Sequence, residues 1–223
     1  MNAASWKRVS GAMGIPFVVA YVLLFALNWN SPDDTSSDAK ILDYYGSQSH
    51  RVREITSFFL LAVGLILVIW FLSHMHGVLS SAEGDGGRAA SIALASGGMF
   101  IALFTVAVCA GIATPTVISS AGDKFTLDPN TFRLVAVMGF LAYMAAFMLG
   151  APFAFAVGVV AWRTGFLPRW LAAASFLGGL GGLLSGLFFP SFVYVAWILV
   201  LSGYLAFRPA GAAQAQPAPT APA

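Results

Sequence analysis

From Leu134 to Trp162 the chain runs without one charged residue, and no other stretch so narrows the folds open to it. The run is entered through a helix-start signal. Asp128 is placed to accept from the first free backbone N–H groups, and Pro129 at the first helical position forfeits no hydrogen bond. In the middle stands Gly150-Ala151-Pro152. Pro152 has no N–H for the carbonyl of Met148, so a bend is expected at Gly150 and Pro152. An uncharged helix of this length has lipid for its solvent, since about 20 apolar residues cross a bilayer core.

Composition agrees. Hydrophobic residues make up 59% of the chain and charged residues 9%, where a soluble domain carries roughly a quarter. So few charges cannot cover a surface facing water. A net charge of +2 with no basic stripe argues against a nucleic-acid partner. The one cysteine, Cys109, excludes an intrachain disulfide and a multi-cysteine metal cage, and its apolar setting predicts a buried, inert thiol.

The remaining hydrophobic blocks supply five more spans. Residues 11–29 follow Lys7 and Arg8 like a leader, but Ala26-Leu27-Asn28-Trp29 lacks the small residues a peptidase needs, so a retained span is expected. Residues 54–76 and 89–113 follow, the latter stopped by Pro115, and then the span at 134–162. Between Arg169 and Arg208 there is again no charge. As one helix that interval would be about 57 Å long, against roughly 30 Å of hydrocarbon. Phe188-Phe189-Pro190-Ser191 divides it into spans at 169–188 and 191–207.

The expected fold is therefore all-α: a polytopic membrane protein with six transmembrane helices in residues 1–208 and both termini on one side. Lys7 and Arg8 before the first span, with Asp33 and Asp34 after it, place the termini in the cytoplasm. The Pro/Ala-rich tail, residues 209–223, is expected to be disordered. In the first external loop, Ser37 or Asp38 would cap a short helix over residues 37–45 that Gly46 ends. Its Ile41, Leu42, Tyr44 and Tyr45 would rest on the membrane surface or the bundle mouth.

Candidate functional groups are few. Asp43, Tyr44, Tyr45, His50, Arg51, Arg53 and Arg133 form a candidate external rim, beside Glu54 at the start of the second span. The expected use is structural, with Arg51 and Arg53 paired to Asp43 or Asp38. The alternative use is a binding mouth. Ala174, Gly178, Gly182 and Gly186 recur every four residues, a small face that lets helix backbones approach. His74 and His76, two apart, point to nearly opposite sides of a helix, and Glu83 and Asp85 fall on a flexible loop, so no metal site is expected.

No Asp, Glu, Lys or Arg falls at hydrocarbon depth by this reading, which disfavours a proton-driven pump. No serine sits in a nucleophile context either, so neither catalytic residues nor a cofactor are expected. Gly14-Ile15-Pro16-Phe17 and Gly150-Ala151-Pro152-Phe153 resemble each other. Both fall in the cytoplasmic half, whereas an inverted repeat would set them on opposite sides of the midplane.

The linker Arg163-Thr164-Gly165-Phe166-Leu167-Pro168-Arg169-Trp170-Leu171 carries a resemblance, together with Asp43-Tyr44-Tyr45 and the stretch Ala82-Glu83-Gly84 to Arg88. Over residues 11–207 the chain resembles a family of bacterial six-span integral membrane proteins of unknown function. The resemblance implies a multi-pass protein of the bacterial cytoplasmic membrane and brings no activity with it. Two functions are expected in turn. The first is a non-enzymatic accessory or assembly component, with membrane lipids and a second copy or another membrane protein as partners. The second is a passive carrier or permease for a small apolar or lipid-like solute.

Overall fold

The computed structural model describes residues 3–84 and 86–207, so the tail beyond Phe207, and Asp85, lie outside the described residues. The fold is all-helical, with no strand among the described residues. Its helices are α1 (Ala3–Ala12), α2 (Gly14–Leu27), α3 (Asp38–Gly46), α4 (Gln48–Glu83), α5 (Arg88–Ala121), α6 (Pro129–Thr164), α7 (Arg169–Leu183) and α8 (Pro190–Phe207). Short 3₁₀ turns follow α5 at Gly122–Lys124 and α7 at Ser185–Leu187. Five segments are long and apolar enough to cross a membrane: Arg8–Leu27, Gln48–Glu83, Arg88–Lys124, Pro129–Thr164 and Pro190–Phe207. α7 has 15 residues, about 22 Å of helix.

Several helix ends follow from single residues. Asp128 accepts from the N–H groups of Asn130 and Thr131, with Pro129 at the first position, as expected. Ser37 caps α3 by accepting from the N–H of Lys40. Gly165, in the left-handed region at φ 72°, closes α6.

Other boundaries differ from expectation. α5 runs through Pro115 to Ala121 instead of stopping near residue 113. In lipid no water can satisfy an unwound backbone, so losing one hydrogen bond is cheaper than ending the helix. α4 begins at Gln48 rather than near Glu54, and runs to Glu83 rather than His76. Glu83 is not on a loop; it ends α4 and accepts from the N–H groups of Ala89 and Ala90 at the start of α5. The first expected span, residues 11–29, is chiefly α2, which is separated from α1 by a break at Met13 and ends at Leu27. α6 continues unbroken through Gly150 and Pro152.

The helices close into a ring. A Cβ placed at Gly64 of α4 would lie 3.0 Å from the backbone of Phe17 in α2, and one at Gly97 of α5 would strike Leu72 of α4 at 2.4 Å. Gly139 of α6 faces Ala110 of α5. α7 runs antiparallel to both its neighbours. Gly179 packs on Phe155 of α6, while Gly181 and Gly178 pack on Val193 and Trp197 of α8. The Trp197 indole N–H donates to Ser175 Oγ at 2.9 Å. α8 then closes the ring, with Ser202 and Ile198 against Gly14 of α2.

Between lipid and lipid-like side chains there is little hydrophobic drive, so close backbone approach and dispersion hold such a bundle. Its axis is filled by rings: Phe17 with Phe100 and Phe104 at centroid distances of 5.9 and 6.1 Å, Phe100 with Phe147 at 5.2 Å, and Phe147 with Tyr194 at 5.6 Å. The outward faces carry large apolar side chains such as Phe59, Ile66, Leu134 and Leu141. Cys109 is among the exposed groups, contrary to the buried thiol expected. An apolar neighbourhood in the sequence fits a lipid-facing position as well as a core one.

Candidate ligand cavity

α3 lies across one end of the bundle. Its Ile41, Tyr44 and Tyr45 are buried against Phe132 of α6, forming a small apolar cluster separate from the main core. Arg133 fastens it, pairing with Asp38 and donating to the carbonyl of Ser36 at 2.9 Å. Arg51 donates to the carbonyls of Tyr45 and Gly46. The expected pairing of Arg51 and Arg53 with Asp43 or Asp38 is therefore not what holds the loop. Asp38 is taken by Arg133, and the arginine forks meet carbonyls and a phenol that lie nearer on their own helix hairpin. Asp43 is exposed.

Beneath α3 is a cavity of about 340 Å³. Its walls are largely apolar: Leu24 and Phe25 of α2, Phe104 to Thr114 along one face of α5, and Phe132 to Tyr143 along one face of α6. Tyr45 lines it from the α3 side, and Asn28, Ser31 and Glu54 give it a polar end. Tyr143 and Phe188 line it at the deeper end. Tyr21, which bonds Tyr143, stands seven residues before Asn28 on α2, so the two polar levels are roughly 10 Å apart along that helix.

Glu54 is 6% exposed and is held by a directed chain of donors. Ser31 Oγ donates to Glu54 Oε1 at 2.6 Å. With its hydrogen committed, Ser31 can only accept from the Tyr44 hydroxyl, 2.8 Å away. Arg53 Nη2 donates in turn to the Tyr44 oxygen at 3.2 Å. His50 stacks on the Tyr44 ring at 4.2 Å and completes the cluster. Burial pushes the Tyr45 phenol up, and the Glu54 carboxylate adds to it, so Tyr45 stays protonated across the physiological range.

The other carboxylate oxygen is unspent. Glu54 Oε2 is buried without a hydrogen-bond partner. Asn28 directs its amide N–H to the carbonyl of Leu24 at 2.8 Å, which leaves Oδ1 as a second buried acceptor without a partner. Buried acceptors of this kind cost about 1–3 kcal/mol each unless something fills them.

A second polar chain supports the deeper end. Ser191 Oγ donates to the carbonyl of Phe188, so it must accept from Tyr143, and Tyr143 must then accept from Tyr21 at 2.8 Å. The chain props a tight turn. Phe188 has φ 64° and ψ −64°, with the Phe189 N–H on the carbonyl of Leu187 at 2.8 Å, the strained form of the γ-turn.

The remaining candidate residues do not reach the cavity. Gly178 faces Trp197, a Cβ placed at Gly182 would lie 2.9 Å from the carbonyl of Phe147, and Gly186 lies past the end of α7 against Met144. Ala174 is partly buried beside the core. The Gly150 carbonyl accepts from the Tyr194 hydroxyl at 3.1 Å. No group of three His, Cys, Asp or Glu gathers as a metal site among the described residues. The rim was visible in the sequence, but Asn28 and Ser31 were missed; only the carboxylate of Glu54 at a helix mouth hinted at a polar end. No protein-family model matches this chain, and neither a curated protein nor a solved structure shows significant similarity to it.

Proposed function

We propose that this chain is a six-span protein of the bacterial cytoplasmic membrane, with cytoplasmic termini, that binds a small, largely apolar solute in the cavity beneath α3. The cavity carries this reading. Its volume of about 340 Å³ falls in the range of small-molecule pockets, and apolar walls with a few polar groups are what such pockets share. A subunit acting only through helix and lipid contacts needs no such space, so the carrier-like expectation is favoured over the accessory one. The polar groups at the cavity's end, Ser31, Tyr45 and Glu54, are engaged with one another, and the reading is of a binding role.

The sixth span is α7. Its ends lie level with those of α8, Trp170 beside Tyr204 at one and Gly181 beside Pro190 at the other. If α8 crosses, so does α7 with its 3₁₀ extension. α3 then lies on the outer face. The bacterial setting rests on the resemblance of the linker at residues 163–171.

Occupancy is testable in nanodiscs with a ten-carbon probe carrying a diazirine on its chain. Crosslinks at Val108, Val135 or Ala136, abolished by filling the space with Ala107→Phe, are expected. Crosslinks spread evenly over lipid-facing side chains such as Phe59 and Leu141 would refute the reading.

A further inference from the structure

We infer that the solute is a small apolar alcohol, whose hydroxyl is received by Glu54 and Asn28 beneath α3. The inference rests on the binding role proposed above and adds the chemistry of the head.

Size comes first. A space of about 340 Å³ lies at the small end of ligand pockets, room for a small solute rather than for a two-chain lipid. That suits a ten-carbon chain or a two-ring skeleton bearing one oxygen. The walls leave little for a larger polar group to do, since polar side chains are confined to the ends.

The head follows from which atoms are unspent. Glu54 Oε2 and Asn28 Oδ1 are both buried acceptors without partners, and both residues line the cavity. Gly111, also on the lining, has lost its usual helical donor, because the residue four ahead is Pro115. On the donor side, the Tyr45 phenol lines the same cavity from α3 and faces the Glu54 carboxylate, without closing a hydrogen bond on Oε2. A site with two open acceptors and one phenol asks for a group that both donates and accepts. A hydroxyl does both from a single atom.

Other heads fit worse. A ketone or ester accepts only, so both acceptors stay empty. A carboxylate would bring a second negative charge to Glu54, and like charges at low dielectric repel strongly. A hydrocarbon would seal the acceptors away from water with nothing in return. One hydrogen bond to a carboxylate is worth about 1.5–3 kcal/mol when buried, or about ten- to a hundredfold in affinity.

The test is competition against the diazirine probe in nanodiscs, with each competitor compared at equal mole fraction in the bilayer. Decan-1-ol is expected to displace the probe at least about tenfold better than decane, 2-decanone or decanoate. In Glu54→Gln the side chain still accepts from Ser31 but turns an amide N–H into the cavity, so 2-decanone should gain on decan-1-ol. If all four compete equally, or if the ketone and alcohol keep their order in Glu54→Gln, head selection is wrong while solute binding stands. If the probe never enters the cavity of the unaltered protein, solute binding itself falls. Should Glu54→Gln fail to fold, Asn28→Leu removes the second acceptor, and an undiminished preference for the alcohol would equally overturn the inference.

Discussion

Replacing Tyr143 by Phe deletes one oxygen from the middle of a directed hydroxyl chain. Ser191 has a single hydrogen and gives it to the carbonyl of Phe188, so Tyr143 must donate to Ser191 and Tyr21 to Tyr143. Tyr143→Phe therefore strands the Tyr21 hydroxyl as a buried donor, at about 1–3 kcal/mol. Tyr21→Phe strands nothing. It removes a donor from an oxygen that keeps its own hydrogen bond to Ser191, and should cost about 0.5–1 kcal/mol. The double variant has no orphaned donor, so it should be more stable than Tyr143→Phe alone, with a coupling of about 1 kcal/mol. In melting temperature the gap is about 2–4 °C for a chain of this size. Thermal unfolding in detergent micelles, followed by far-ultraviolet circular dichroism, measures all four species. Equal costs for the two single variants, or strict additivity in the double, would show that the chain does not run in this direction.

Packing, surface and loop give three more expectations. Gly178→Ala would bring a Cβ to 2.7 Å from the Trp197 ring and should destabilise by about 1–3 kcal/mol. Gly98→Ala meets nothing within 4 Å and should be neutral or stabilising by up to about 1 kcal/mol; the reverse order in a melting experiment would contradict the ring described. Cys109, exposed on α5 in an apolar setting that keeps it a thiol, should stay unlabelled by a charged maleimide in intact vesicles and become reactive once detergent and denaturant admit water; ready labelling in intact vesicles would place it in water. Hydrogen bonds from Ser36 and Thr35 hold the Asp33 carboxyl below its ordinary value. Its contribution to loop order is therefore complete above about pH 4 and fades as the pH falls through that lowered value. Amide exchange at residues 31–36 should quicken only at acid pH, and faster exchange on raising the pH from 5 to 7, beyond the intrinsic base catalysis, would be the wrong sign.

How much was legible in the sequence depended on whether the signal was local. Asp128-Pro129 and Ser37 are complete instructions within four residues, because a cap needs only its own first turn. Pro115 misled because its usual effect assumes a solvent that can take over the freed carbonyl, and lipid cannot. The face of a lipid-bathed helix is harder still. Lipid and core select the same side chains, so neither the exposure of Cys109 nor the burial of Phe104 could be read from their neighbours. The cavity is a space between α2, α4, α5 and α6, with α3 over it. An empty volume leaves no periodicity in a chain, only an unexplained Glu54 at its edge.

The contact of Gly14 with Ser202 and Ile198 also sets a timetable. Synthesis at about 5–20 residues per second delivers the last helix some 10–40 s after the first has entered the bilayer. Until then the glycine notch of the earliest helix has no tenant, and lipid tails or a holding factor must occupy it. A nascent chain arrested before Pro190 would carry that notch open, and so would be the species most readily seized by membrane quality control.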